Sequence, residues 1–314
     1  MQDLANLIRD ELLSSVPARV TAFAESLRRR HEASCVAILY YGSCLRMGQA
    51  MLAEPDSVLD FYVLVDDYRN AYPRSPILGS ANRLLPPNVF FVEQEIMGRS
   101  LRAKYAMISV DQFVRGCRLT SATSAIWARF AQPARLIYAR DEIARLRAVE
   151  ACATAVRTFI DASLALQGET FRLDALWIVG FRYTYDAELR SERADERAQS
   201  IVAADLQRYR KIGAIALGAH ATAIADDLCQ NPLLPEVRRA GQAQWRRWRR
   251  TGKTLNLLRL IKAVFTFEGA VDYALWKIER HSGVKPTVSA WQKRHPILAA
   301  PVLLWRLYRE GALR

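Results

Sequence analysis

The sequence predicts an α+β protein: a mixed sheet interleaved with short helices, followed by a mostly helical part. Two observations carry this expectation. Apolar residues change from a helical period to strand-like runs near residue 35, and five such runs fall before residue 141. Beyond Asp141 the apolar spacing becomes helical and stays so for a long stretch.

The elements follow in order. Residues 3–31 carry helical spacing interrupted at Pro17, where the missing N–H and the ring predict two helices rather than one. CVAILYYGS at 35–43 predicts a strand ending in a Gly-Ser turn, and VLDFYVLVDD at 58–67 a second strand followed by a loop rich in Pro, Asn and Gly. NVFFVEQE at 88–95, LRAKYAMIS at 101–109 and ARLIYARD at 134–141 predict the remaining strands. The helices VDQFVRGC and SATSAIWARFA stand before the last of them. Helical spacing then predicts helices over 142–167, 172–191, 194–227 and 253–279, with QNPLLPE at 230–236 as a linker.

A chain of 314 residues, half of them apolar, can bury a substantial core and divide into more than one unit. The expected division is a sheet domain over 1–141, a helical, winged-helix-like domain over 142–235, and a basic, Trp-rich helical segment over 236–314. The last segment holds 17 Lys and Arg against 5 Asp and Glu, so it supplies nearly all of the net charge of +13. It also holds five of the seven tryptophans, beginning with QWRRWRR. Cations interleaved with Trp suit an anionic membrane surface. They also suit nucleic acid, through phosphate pairing and base stacking. A third possibility is a solvated basic helix with its tryptophans in the core.

The N-terminus MQDLANLIRDELL is amphipathic and contains acids, unlike a secretory signal or an acid-poor transit peptide. The apolar run PILAAPVLL at 296–304 is about half the ~20 residues a spanning helix needs. Five scattered cysteines predict a reducing compartment. TGKT at 251–254 resembles the end of a phosphate-binding loop, but the glycine that pattern needs at 247 is Arg247.

The stretch YGSCLRMGQAMLAEPDSVLDFYVLVDD at 41–67 carries the chemistry. A glycine at a strand end can adopt backbone angles that other residues avoid, and its missing side chain lets phosphate oxygens reach backbone N–H groups. Gly42 takes that place, and Ser43 adds a hydroxyl. A triphosphate also needs a divalent cation, and Asp60, near the start of the second strand, can supply a carboxylate to it. This is how nucleotidyltransferases arrange their substrate. Alternation along the strand puts Val58, Asp60 and Tyr62 on one face, so the usual first acid is absent at Val58. Asp56 has the right parity to reach a metal, directly or through water, and Glu93 or Glu95 could supply a third acid.

Several pieces occur in one family's order: YGSCLRMGQ at 41–49, LDFYVLVDD at 59–67, LRAKYAMISVDQF at 101–113, WARFAQPA at 127–134 and VGFRYTYDAE at 179–188. On these the chain resembles the mitochondrial-type phosphatidate cytidylyltransferases of the translocator maintenance family, as a bacterial-looking relative. The resemblance implies a nucleotidyltransferase (polymerase-β-like) fold in which a single acid replaces the pair. The chain departs from the family at Cys44, usually Gly, and in DDYRNAYPRSP, which lacks the aromatic-histidine pair.

The resemblance places Gly42 and Ser43 at the phosphates of CTP and Asp60 at Mg2+ or Mn2+. It also places Lys104 in a Lys-Tyr piece, Arg129 within reach of the triphosphate, and Tyr183 and Asp186 in a signature near the cleft. Lys104 stands out independently, as the only lysine among the first 210 residues beside 26 arginines. A compact point charge suits a phosphate. The implied reaction joins CTP and phosphatidic acid into CDP-diacylglycerol and pyrophosphate. The enzyme is expected to be cytoplasmic, bound peripherally to the inner face of the membrane through its anionic surface, with no nucleic acid expected as partner. Alternatives are a different lipid, small-molecule or RNA acceptor, or a lapsed enzyme serving as a membrane scaffold.

Overall fold

The computed structural model describes residues 2–48, 54, 57–188, 193–218, 228–266, 289 and 291–292. Helices α1 (Gln2–Leu12) and α2 (Ala18–Arg30) flank Pro17 as predicted. Strand β1 (Cys35–Tyr41) leads into a short helix α3 (Ser43–Met47), and β2 (Val58–Val65) into α4 (Tyr68–Ala71) and α5 (Pro76–Leu84). Strands β3 (Asn88–Ile96) and β4 (Arg99–Ser109) follow, then α6 (Val110–Gly116), α7 (Ala125–Phe130) and β5 (Ala134–Ala139). The β3–β4 hairpin turns on Met97 and Gly98, both at positive φ (49° and 72°), the backbone that a tight two-residue turn requires.

The five strands form one sheet in the order β3-β4-β2-β1-β5. Only β2 and β4 pair in parallel, so the sheet is mixed and the fold α+β. One sheet face carries Ile38, Tyr40, Phe61, Val63 and Met107 and is covered by Phe23 and Leu27 of α2. The other carries Leu39, Tyr62, Leu64, Ala106 and Ile108.

On this second face the core continues through α8 (Glu142–Leu164), α9 (Leu173–Asp186), α10 (Ala194–Ala203), α11 (Leu206–Leu217) and α12 (Pro235–Thr266). One hydrophobic cluster thus joins Leu39 and Tyr62 of the sheet to Trp177, Tyr209, Trp245 and Trp248, across the boundary drawn at residue 141.

Three expectations change. The helix expected over 194–227 is two helices, because the Asp205 side chain accepts a hydrogen bond from the Arg208 N–H and caps a new start; 219–227 lie outside the described residues. The expected linker is docked: β7 (Leu228–Gln230) pairs with β6 (Thr170–Arg172), and Asn231 Nδ2 donates to the carbonyls of Leu164 (3.0 Å) and Gly168 (2.9 Å). Strands of three residues are too short to show a period.

Finally, α12 starts at Pro235, well before 253, since proline at the first helical turn gives up no needed donor. TGKT therefore lies inside a helix and forms no loop. Residues 267–288, with Trp276, and the run at 296–304 with Trp305 lie outside the described residues. No helix among the described residues is long and apolar enough to cross a membrane.

Candidate functional site

Register brings the predicted residues together. Tyr41 pairs with Asp60 across β1–β2, and Asp60 pairs with Lys104 across the parallel β2–β4 ladder. Cross-strand partners share a face, so Asp60 and Lys104 lie side by side, with Nζ 3.4 Å from Oδ1. Side-chain exposures of 19% and 38% leave both within reach of a ligand. An ion pair this open adds only about 0–1 kcal/mol to stability, so fold stability does not require it.

Gly42 turns the chain out of β1 at φ 96°. A Cβ there would fall 2.5 Å from Asp60 Oδ2, so the carboxylate occupies the space that the glycine leaves. Ser43 opens α3 beside it. Cys44, where the resembled family has glycine, is buried and its Sγ donates to the Val58 carbonyl at 3.3 Å. Burial, and then the Asp60 charge, push its thiol up to about 11, so it stays neutral and pins α3 against β2.

Beyond Lys104 the same sheet face opens on a cavity of about 400 Å3, within the usual range of about 300–1,000 Å3 for ligand sites. Tyr41, Tyr62, Val89 and Ala106 line its sheet side, α7 supplies Arg129, and α12 closes it with Arg259 and Lys262. Arg129 Nη1 donates to the Tyr62 hydroxyl at 3.0 Å, and its guanidinium lies 5.7 Å and 5.9 Å from the ring centres of Tyr41 and Tyr62. Burial opposes its charge, but the two tyrosines and Glu188 outweigh burial and hold it well above the usual arginine value.

The structure thus gathers Gly42, Ser43, Asp60, Lys104 and Arg129 along one sheet face and its helix. It does not bring Tyr183 and Asp186 to them. These two are three apart on α9 and so share a helix face. That face turns to Trp245 and Arg249 of α12 and lines a second cavity. The end of α9 reaches the first cavity through Ala187 and Glu188 instead.

Asp56 lies outside the described residues. Glu93 is taken up by Arg102 (3.2 Å) and Ser100 (2.7 Å) on the far side of β4. Two strand spacings separate it from β2, roughly 10 Å, so it does not join Asp60. Glu95 pairs with Ser100, further along the same edge. Among the described residues no group of three or more His, Cys, Asp or Glu could hold a metal ion. Asp60 alone still suits Mg2+, which commonly takes one or two carboxylates together with substrate phosphates, and its side chain is partly exposed at the end of β1.

Arg259 and Lys262 were not reached from sequence, because their segment reads as a basic tail. A signal was present nonetheless: Gly241, Trp245, Trp248 and Gly252 recur at helical spacing. They form the buried stripe of α12, where a Cβ on Gly241 would meet Ala165 at 2.3 Å and one on Gly252 would meet the Ala187 carbonyl at 2.5 Å.

Fold and site together define an α+β protein with a carboxylate–lysine pair on a mixed sheet, beside a cavity lined with cations. No protein-family model and no curated protein matches the chain. The family resemblance therefore rests on its motif pieces alone.

Proposed function

We propose that the chain is a nucleotidyltransferase of polymerase-β-like fold that transfers the cytidylyl group of CTP to phosphatidic acid, as a peripheral membrane enzyme. One observation carries this reading: Asp60 fits against Gly42 while sharing a ladder row with Lys104, next to a cation-lined cavity. The mixed sheet order, with the Gly-Ser turn leaving β1 and the acid on the adjacent β2, supports the fold assignment.

In the proposed reaction the backbone at Gly42 and the Ser43 hydroxyl hold the triphosphate. A phosphate oxygen of the acceptor forms a bond to the α-phosphorus, and the bond from that phosphorus to the bridging oxygen breaks, with its electron pair leaving on pyrophosphate. Lys104 places positive charge where negative charge develops, which is worth most in a partly dry site. Mg2+ or Mn2+ held by Asp60 and the phosphates would add to that neutralisation. An ionised acceptor phosphate needs little help from a general base, so a reduced set of carboxylates suffices.

Trp245 and Trp248 are 3% and 1% exposed, so they are core residues and cannot meet lipid. The outward side of α12 instead offers Arg247 and Arg250 with Leu257, Leu258 and Ile261, all exposed, while Arg246 and Arg249, also exposed, line the second cavity. Leu84, next to the Leu85 carbonyl that accepts from Lys262, is 83% exposed. Exposed cations with apolar residues suit an anionic bilayer surface.

The test is conversion of labelled CTP and phosphatidic acid by the parent chain, Asp60→Ala and Lys104→Ala, with Mg2+ or Mn2+. We expect CDP-diacylglycerol from the parent and a loss of about 100-fold or more in each variant, the scale of a lost transition-state electrostatic partner. No product despite metal-dependent CTP binding would overturn the acceptor assignment, and no CTP binding would overturn nucleotidyl transfer altogether.

A further inference from the structure

The cavity beyond Lys104 has an unusual charge balance. Lys104, Arg129, Arg259 and Lys262 line it, and Glu188 is the one carboxylate among its described lining residues. Asp60 pairs with Lys104 and the Glu188 charge acts on Arg129 and Arg259, so four cations share two carboxylates and their hydrogen bonds include neutral acceptors. Arg259 Nε donates to the Pro86 carbonyl at 2.8 Å, Lys262 Nζ to the Pro87 carbonyl at 2.8 Å, and Arg129 to a phenol hydroxyl. Cations partly removed from water in excess of the carboxylates beside them carry a desolvation cost that a bound anion offsets. Lys262 registers that cost: burial, then the neighbouring Arg259, push it down to about 8. The rest of the wall is largely apolar, with Val89, Ala106, Ile126 and Ala263.

Gly42, Ser43 and Asp60 are not among the lining residues, whereas Lys104 both lines the cavity and lies 3.4 Å from Asp60. Two anion-handling regions therefore meet at one lysine. We infer that the cavity is the acceptor subsite, taking a phosphate monoester with an apolar remainder on Arg129, Arg259 and Lys262, while the nucleotide occupies the Gly42–Asp60 side and Lys104 serves both. The orientation toward Asp60 rests on the proposed nucleotidyl transfer, but monoester binding in the cavity does not.

Calorimetric titration of the full chain separates the two. The probes are dihexanoyl phosphatidate below its micelle concentration, inorganic phosphate, dihexanoyl phosphatidylcholine as a diester, and CTP with Mg2+. The proteins are the parent, Arg259→Gln, Lys262→Gln and Arg259→Lys. We expect each Gln variant to weaken phosphatidate binding on the order of tenfold, as loss of a charge-assisted hydrogen bond does. Arg259→Lys should restore part of it, which a merely misfolded helix would not allow, and CTP affinity should be unchanged throughout.

Equal phosphatidate affinity in the parent and both Gln variants would overturn the inference. So would variants that lose CTP but keep phosphatidate, which would put the triphosphate in the cavity. Inorganic phosphate or the diester binding as tightly as phosphatidate would overturn the ligand class. Phosphatidate binding that depends on Arg259, in a chain that forms no CDP-diacylglycerol, would support this subsite and sink the proposed reaction instead.

Discussion

A carboxylate that sits where a glycine's Cβ would be tolerates no other residue at that glycine. Gly42 combines this contact with φ 96°, whereas Gly48 has φ 72° and, among the described residues, nothing within 4 Å of a Cβ built there. Gly48→Ala should therefore meet backbone strain alone, about 1 kcal/mol. Gly42→Ala should add an overpacking cost of about 1–3 kcal/mol and push Asp60 off Lys104. Urea unfolding and CTP titration of the two variants measure the difference; equal losses would mean that Asp60 has room to move. Cys44 belongs to the same unit, since its neutral thiol ties the turn to β2.

At the scale of elements, α12 decides what the first cavity is. Its buried stripe packs Trp248 against Trp127 (5.2 Å between ring centres) and Trp245 (5.1 Å), and Trp248 Nε1 donates to the Ser121 carbonyl at 2.8 Å. These contacts orient the helix so that Arg259 and Lys262 reach the 85–87 segment. Trp248→Ala should cost about 3–5 kcal/mol, visible as a lower denaturant midpoint. Trp291→Ala, at a residue 56% exposed, should change the midpoint little. Similar small shifts in both variants would return the QWRRWRR tryptophans to the surface role that composition suggests.

On the scale of the whole molecule, the chain is tied together across its length by a pair far apart in sequence. Arg208 of α11 donates to both carboxylate oxygens of Glu11 of α1 (Nη2 to Oε1, 3.1 Å) and to the Ala131 carbonyl at 3.1 Å. The Arg208 side chain is 9% exposed and that of Glu11 16%, so neither charge is well solvated without the other. Breaking such a pair leaves a buried charge uncompensated, and Glu11→Ala should destabilise by about 3–5 kcal/mol. The double change Glu11→Ala with Arg208→Met should recover part of this in urea unfolding. A double variant as unstable as the sum of its parts would mean that the carbonyl contacts of Arg208 matter more than its pairing.

Residue order alone specifies the five strands, the Gly42–Ser43 turn and the facing of Asp60, because strand period and glycine geometry are local properties. It also singled out Lys104, through the scarcity of lysine in an arginine-rich stretch. Folding brings Lys104 beside Asp60, since residues 44 apart meet through ladder register. The same holds for Tyr183 and Asp186, which belong to a second cavity because of the rotation of α9. It also decided the fate of QWRRWRR, whose composition suits a membrane, a nucleic acid or a core equally. The choice fell to the core because Trp127 and the small residues Ala165 and Ala187 present surfaces against which Trp245, Trp248, Gly241 and Gly252 can close. The helical spacing of Gly241, Trp245, Trp248 and Gly252 marks a stripe, but whether that stripe is buried depends on what lies opposite it, which the spacing does not contain.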